Sequence, residues 1–381
     1  MRRISVFVLF IAIASWTQLP ARAESPAPIG RAFKNLQHPV DDTDELRRLL
    51  GDVAVASRSD LARALQHQTP VKSQADRGTC SIFSSIASIE SYLIRSGLVS
   101  KPDSVDLSEQ WLQYLVARKT AEDGSDAPQN LGLISQWGLA REAVLPYGGE
   151  DWAEMKKRPR LARERCGHLQ KGRKLKACLL GHFDPDALEW TDEELRGSSQ
   201  EPLLKARREA ETFLQKLQQH AGSWPRATAV RKVSEIKALL RAGVPLVLET
   251  DFFLGAWNHR EAEEHGIPRD TMKWKEGVIS YPPPGSVDRR KSATQEAGHS
   301  VLAVGYDDFI EVEVESLQED GSFQTFRYRG VYFIKNSWGT DGFGSEFSAQ
   351  GVQAPGYGMI TQKYAHEFGG FYRLQLPESS R

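Results

Sequence analysis

The order of patterns along this sequence predicts an α+β chain of two lobes, helical in its first half and sheet-forming in its second. Three observations predict it. An apolar stripe of helical period runs through residues 79–96, two further helical patterns follow before residue 138, and β-branched or aromatic runs of strand length dominate beyond residue 243.

The first residues stand apart from the fold. Arg2 and Arg3 precede a mostly apolar run of twelve residues, Ile4 to Ser15, and Ala21-Arg22-Ala23 supplies a small-x-small cleavage pattern. This reads as a signal peptide cleaved after Ala23, with the mature chain periplasmic or secreted. The run is too short to span a bilayer and no second run of spanning length follows, so no stable membrane insertion is expected. Residues 24–65 form a polar lead with Pro26, Pro28, Pro39 and a short amphipathic stretch around Leu46, Leu49 and Leu50. With 49 basic and 50 acidic side chains, the chain has no overall attraction to nucleic acid or anionic membranes. A monomer is expected.

In residues 79–96 (TCSIFSSIASIESYLIRS), Ile82, Phe83, Ile86, Ile89, Leu93 and Ile94 recur at three- and four-residue steps. Thr79 is the expected N-cap and Gly97 the stop, which places Cys80 in the first turn of a central helix. Residues 106–119, with Ser108 and Glu109 near the start, and 129–137, ended by Gly138, read as two more helices. These complete a helical lobe over residues 66–150.

Composition then shifts. Residues 151–232 are heavily charged, with basic runs at 156–165 and 171–176, and Leu203, Arg207, Ala210, Leu214 and Leu217 fit one helical face. This stretch is expected to be a helical insertion forming a lid or exosite beside the cleft. Cys166, His168, Cys178 and His182 lie within it, and three readings of them stand: a Cys166–Cys178 disulfide, free thiols, or a zinc site. The first suits an exported protein and leaves Cys80 as the single free thiol.

Residues 233–381 form the expected β-rich lobe. VPLVLET (244–250), SVLAVGY (300–306) and GVYFIK (330–335) are its strand signals, and residues 309–329 alternate acidic and apolar positions around Asp320-Gly321 as an exposed hairpin.

Cysteine is nucleophilic as the thiolate, and a helix N-terminus lowers its pKa. Cys80 follows a polar loop, residues 73–78, which favours exposure. Gln74, six residues earlier, is near enough to join the Cys80 backbone N–H in stabilising an oxyanion.

The string TPVKSQADRGTCSIFS (69–84) resembles the active-site segment of the papain family of cysteine peptidases. Gly298-His299-Ser300 entering VLAVGY, and Lys335-Asn336-Ser337-Trp338-Gly339, resemble two further segments of that family in the order it requires. Lesser matches are Leu107-Ser108-Glu109-Gln110, Leu145-Pro146-Tyr147 and Gly356-Tyr357-Gly358. The likeness covers about residues 66–150 and 233–365 and is absent from 24–65 and 151–232. It implies a papain-like two-lobe fold with Cys80 as nucleophile, His299 as base, Asn336 orienting the imidazole, Trp338 shielding that bond and Gln74 in the oxyanion hole. It implies a protein or peptide substrate and no metal or organic cofactor.

Departures are visible too. Ser81 stands where the family usually has tryptophan. Arg77 stands where it has a disulfide-bonded cysteine, so an Arg77 salt bridge is expected to hold the loop instead. Gly124-Ser125 is the nearest match to the glycine pair that binds substrate backbone, and no long inhibitory proregion is visible. An amidase or transpeptidase using the same three residues, or a catalytically silent binding protein, are the competing functions.

Overall fold

The computed structural model describes residues 30–31, 33, 36, 56–221 and 226–375. The segment expected to be a signal peptide and most of the polar lead lie outside these residues.

A short helix, α1 (Leu61–Leu65), leads to the central helix α2 (Cys80–Arg95). Ile82, Ile86 and Ile89 of α2 are fully buried, and burial of each such side chain contributes about 1.5–3 kcal/mol. Thr79 holds the N-cap position but makes no cap bond; its hydroxyl pairs with Tyr147 Oη at 2.7 Å. Ser96 is the C-cap, with Gly97 just beyond it at φ +73°. Helix α3 (Glu109–Thr120) begins where Ser108 accepts the Trp111 N–H, and α4 (Ala127–Trp137) where Asp126 accepts that of Gln129. Gly138 ends α4 at φ +70°, a left-handed conformation that a glycine adopts without Cβ strain.

The charged stretch supplies α5 (Arg160–Cys166), α6 (Arg173–Gly181), α7 (Asp192–Leu195) and α8 (Pro202–Ala221). It is not a separate lid. Phe183, Leu188, Leu195, Leu203, Ala206 and Ala210 join Trp111, Leu112, Leu131 and Ile134 in one helical-lobe core. Nor is it wholly helical: residues 226–230, inside the expected insertion, form a strand of the main sheet. A five-residue run between charged segments acquires strand character from its pairing partner, which no local pattern reveals. Cys166 and Cys178 are disulfide-bonded beneath Trp152, in a small cluster of their own.

The second lobe is built on β1 (Gly30–Arg31), β2 (Arg226–Val230), β3 (Leu246–Asp251), β4 (Val278–Ile279), β5 (Ala297–Leu317), β6 (Phe323–Lys335), β7 (Ser348–Ala349), β8 (Val352–Gln353), β9 (Tyr357–Thr361) and β10 (Gly369–Gln375). Among the described residues the sheet order is β2-β10-β3-β5-β6-β9-β4, with β1 added to β5 and β7-β8 paired separately. Pairing is antiparallel except between β4 and β9. Helices α9 (Val233–Arg241), α10 (Thr271–Lys275), α11 (Val287–Ser292) and α12 (Gln362–Phe368) flank it. The outer halves of β5 and β6 form the expected arm, turned at Asp320-Gly321, with Phe323 half exposed. The fold is α+β, with a helical lobe and a mostly antiparallel sheet. Among the described residues no helix is long and apolar enough to cross a membrane.

Candidate active site

Each candidate side chain is placed by a different element. Cys80 is the first residue of α2, His299 the third of β5, and Asn336 the residue after β6. β5 and β6 are neighbours, and Leu302 pairs with Lys335, so the strand register sets His299 beside Asn336. His299 Nε2 and Asn336 Oδ1 are 2.8 Å apart. The same oxygen accepts the Ser337 N–H at 2.8 Å. An oxygen facing the imidazole requires the proton on Nε2, which leaves the Nδ1 lone pair free as a base. Nδ1 is buried without a hydrogen-bond partner among the described residues.

Rings enclose that histidine. Trp338 stacks on it with centroids 4.4 Å apart, and Trp257 and Phe252 meet it edge-on at 5.0 and 6.0 Å. Burial holds the His299 imidazole down at about 3, against the raising effect of Asn336, with nearby His259 lowering it further. Trp338, expected to shield the His299–Asn336 bond, is the residue stacked on this imidazole. Phe252, Trp257 and His259 were not foreseen; the aromatic-rich run Asp251-Phe252-Phe253…Trp257-Asn258-His259 was their signal.

The nucleophile side is polar. Gln74 N–H donates to Ser337 O at 2.8 Å, Ser337 Oγ donates to Gln74 Oε1 at 2.6 Å, and Gln74 Nε2 donates to Arg77 O at 2.6 Å. Gln74 thus bridges the Cys80 loop to the Asn336 segment. Arg77 is almost wholly buried, donating to Asp123 Oδ1 at 2.5 Å and to Leu180 O at 2.8 Å. Asp123 also accepts the Gly78 N–H at 3.2 Å. An ion pair therefore holds the loop, as expected, and α6 of the charged stretch grips it from behind.

Ser81 Oγ accepts the Ser125 N–H at 3.1 Å. Gly124, at φ +76°, lies so close to the loop that a Cβ would stand 2.5 Å from Gly78 O. The serine found where the family carries tryptophan thus ties Gly124-Ser125 to α2. Gly298, just before His299, pairs with Asp251 on one side and with Gly30 on the other.

One expectation fails. Cys80 is not exposed: it is 1% accessible, and Gln74 and His299 are fully buried. Burial pushes the thiol up to about 12; the backbone N–H groups of Ser300, Ser81 and Cys80 oppose that shift, while Glu249 adds to it. The polar loop is itself covered, so its composition misleads about access. Sγ lies against the N–H of Ser300, beside His299, but makes no hydrogen bond to the unpartnered Nδ1. Burial thus holds both the thiol and the imidazole toward their neutral forms in a closed site. Cys166 and Cys178 take no part in it, and His168 and His182 instead face Asp184 and the Glu150 carbonyl.

The chain resembles the papain-like cysteine peptidases. Over 119 residues it is 33% identical to Peptidase 1 of Dermatophagoides farinae, covering 30% of this chain and 35% of that protein. Over 117 residues it is 31% identical to Peptidase 1 of Euroglyphus maynei, with the same coverage. The matched region thus spans about a third of the length of these curated relatives. No protein-family model matches. Among solved structures, xylellain, a cysteine protease from Xylella fastidiosa, aligns over 94% of this chain and 100% of its own at 15% identity and a TM-score of 0.48. The bromelain protease of Ananas comosus aligns over 82% and 96%, at 16% identity and a TM-score of 0.41.

Proposed function

We propose that the chain is a cysteine peptidase that hydrolyses peptide bonds through a Cys80 thioester. The observation that carries this reading is the His299–Asn336 hydrogen bond, roofed by Trp338, which leaves Nδ1 unprotonated one residue before the Ser300 N–H that meets the Cys80 thiol. The thiol proton passes to Nδ1 and Sγ attacks the scissile carbonyl carbon. The developing oxyanion takes the Cys80 N–H and a Gln74 amide hydrogen. As the C–N bond breaks, the imidazolium protonates the leaving amine; water, deprotonated by His299, then cleaves the thioester. No metal or organic cofactor enters these steps.

A closed site has to open before a peptide enters it. The lead strand Gly30–Arg31 is paired to Ala297–Gly298, immediately before His299. We infer that the lead restrains the cleft through this pairing. Removing residues 24–55 is expected to raise the rate of Cys80 alkylation at pH 7 by tenfold or more. An unchanged rate assigns the closure to another part of the chain.

The deciding experiment is labelling by iodoacetamide or a thiol-directed epoxide from pH 4 to 9, before and after that removal, followed by cleavage of a peptide library. Modification confined to Cys80, persisting below the ordinary thiol pKa of about 8.5 and abolished by His299→Ala, is expected of the opened form. An ordinary thiol profile in the opened protein would refute the proposal and leave a silent binding protein. Labelling without peptide cleavage would indicate an amidase or transpeptidase.

A further inference from the structure

One buried carboxylate at the junction of the lobes has no part in the chemistry above. Glu249 lies on β3 opposite Ser300 of β5, one residue beyond His299. Directly paired residues of antiparallel strands share a face of the sheet. Ser300 Oγ meets Ser84 Oγ of α2 at 2.7 Å, so Glu249 also faces the nucleophile helix. Its Oε1 accepts the N–H of Ala127, the first residue of α4, at 2.6 Å. That residue follows Gly124, Ser125 and Asp126 in sequence, and the Glu249 charge is felt at the Cys80 thiol.

Among the described residues no cation pairs with Glu249. Glu249 is 1% accessible, and neither it nor Asp126 enters an ion pair among the described residues. Burial, with Asp126 acting in the same sense, keeps the Glu249 carboxyl well above the usual carboxylate range. Capping α4 does not require that charge, since a glutamine oxygen accepts the same N–H equally well. An uncompensated carboxyl beside a nucleophile is suited to a ligand that brings the missing positive charge.

We propose that Glu249, with Asp126 at its edge, forms the cation-recognising wall of the substrate cleft, so that the preferred peptides carry Arg or Lys within a residue or two of the scissile bond. The substrate class named here rests on the peptidase reading. A guanidinium or ammonium entering beside Gly124-Ser125 ionises Glu249 and pairs with it. An apolar side chain leaves the carboxyl neutral and unpaired.

Two measurements test the assignment. Library cleavage by the opened protein is expected to favour Arg and Lys at one position, with the ratio of kcat/KM for Arg over its neutral isostere citrulline falling at least tenfold in Glu249→Gln. A ratio unchanged by that substitution, or no basic preference, overturns the assignment while leaving the peptidase intact. Calorimetric binding to the Cys80→Ala protein does not depend on turnover. Tighter binding of the arginine peptide than the citrulline peptide, abolished by Glu249→Gln, supports the assignment even if no cleavage is found; equal binding overturns it.

Discussion

On the side of His299, support comes from rings: Trp338, Trp257 and Phe252 surround the imidazole, and Trp274 and Phe343 stand behind Trp338. On the side of Cys80, it comes from charges. Arg77 and Asp123 fix the loop, while Lys72 is shared by Glu90 at 3.0 Å and Glu109 at 2.9 Å beneath it. Lys335, beside Asn336, donates to Thr69 Oγ1 at 2.9 Å, and Thr69 donates to Glu90 at 2.6 Å, joining the two sides. The ring side needs few exact partners, because stacked rings tolerate exchange of one aromatic for another. The charged side does not, since a buried ion that loses its partner has no water to replace it. His299 is thus held by shape and the Cys80 loop by pairing.

The largest effect is expected from Asp123→Ala, which leaves the Arg77 guanidinium buried and unpaired and destabilises the fold by about 3–5 kcal/mol. Replacing both partners, as Arg77→Met with Asp123→Leu, is expected to recover most of that loss in denaturant melts. If the single and double variants melt alike, the loop is not held by the pair. Next comes reduction of Cys166–Cys178, whose short loop of sequence separation 12 corresponds to about 3 kcal/mol of unfolded-state entropy. Melting with and without reductant measures it, and a negligible shift would show that the helical-lobe core alone secures the charged stretch.

The smallest effect, counted per pH unit, is in pH dependence and involves both sides. His182, stacked on Trp152 at 3.7 Å, is held down at about 3 by burial and by the Arg77 charge, as His299 is by its own burial. Both are depressed bases, so the unfolded chain binds more protons between pH 6.5 and 3. Stability is full above 6.5 and is lost as pH falls through that window, by at most about 1.4 kcal/mol per pH unit for each histidine. His182→Gln is expected to flatten the slope of stability against pH by up to one such increment. An identical slope in parent and variant contradicts it.

How far these features were legible follows from the range over which each is encoded. Cys80, His299, Asn336 and Trp338 each sit in a short segment whose pattern carries its meaning, and α2, α3 and the long hairpin declared themselves by period. Arg77 was marked as needing a partner, but Asp123, 46 residues away, carries no local sign of being that partner. The strand at residues 226–230 and the attachment of Gly30–Arg31 to β5 exist only through pairing. Glu249 was readable as part of a strand; which side of the sheet it faces depends on register with β5, information that its own neighbours lack. Exposure of Cys80 was misjudged for the same reason, since the residues that cover it come from other elements.

The ion pair at Arg77 also separates the hold on the Cys80 loop from disulfide chemistry. Among the described residues the one disulfide lies in the Trp152 cluster, and Cys80 is the free thiol. A reductant strong enough to keep that thiol from oxidising therefore breaks no covalent link in the loop that presents it. The Cys80 thiol and the Arg77–Asp123 pair beside it can be maintained at the same electrochemical potential.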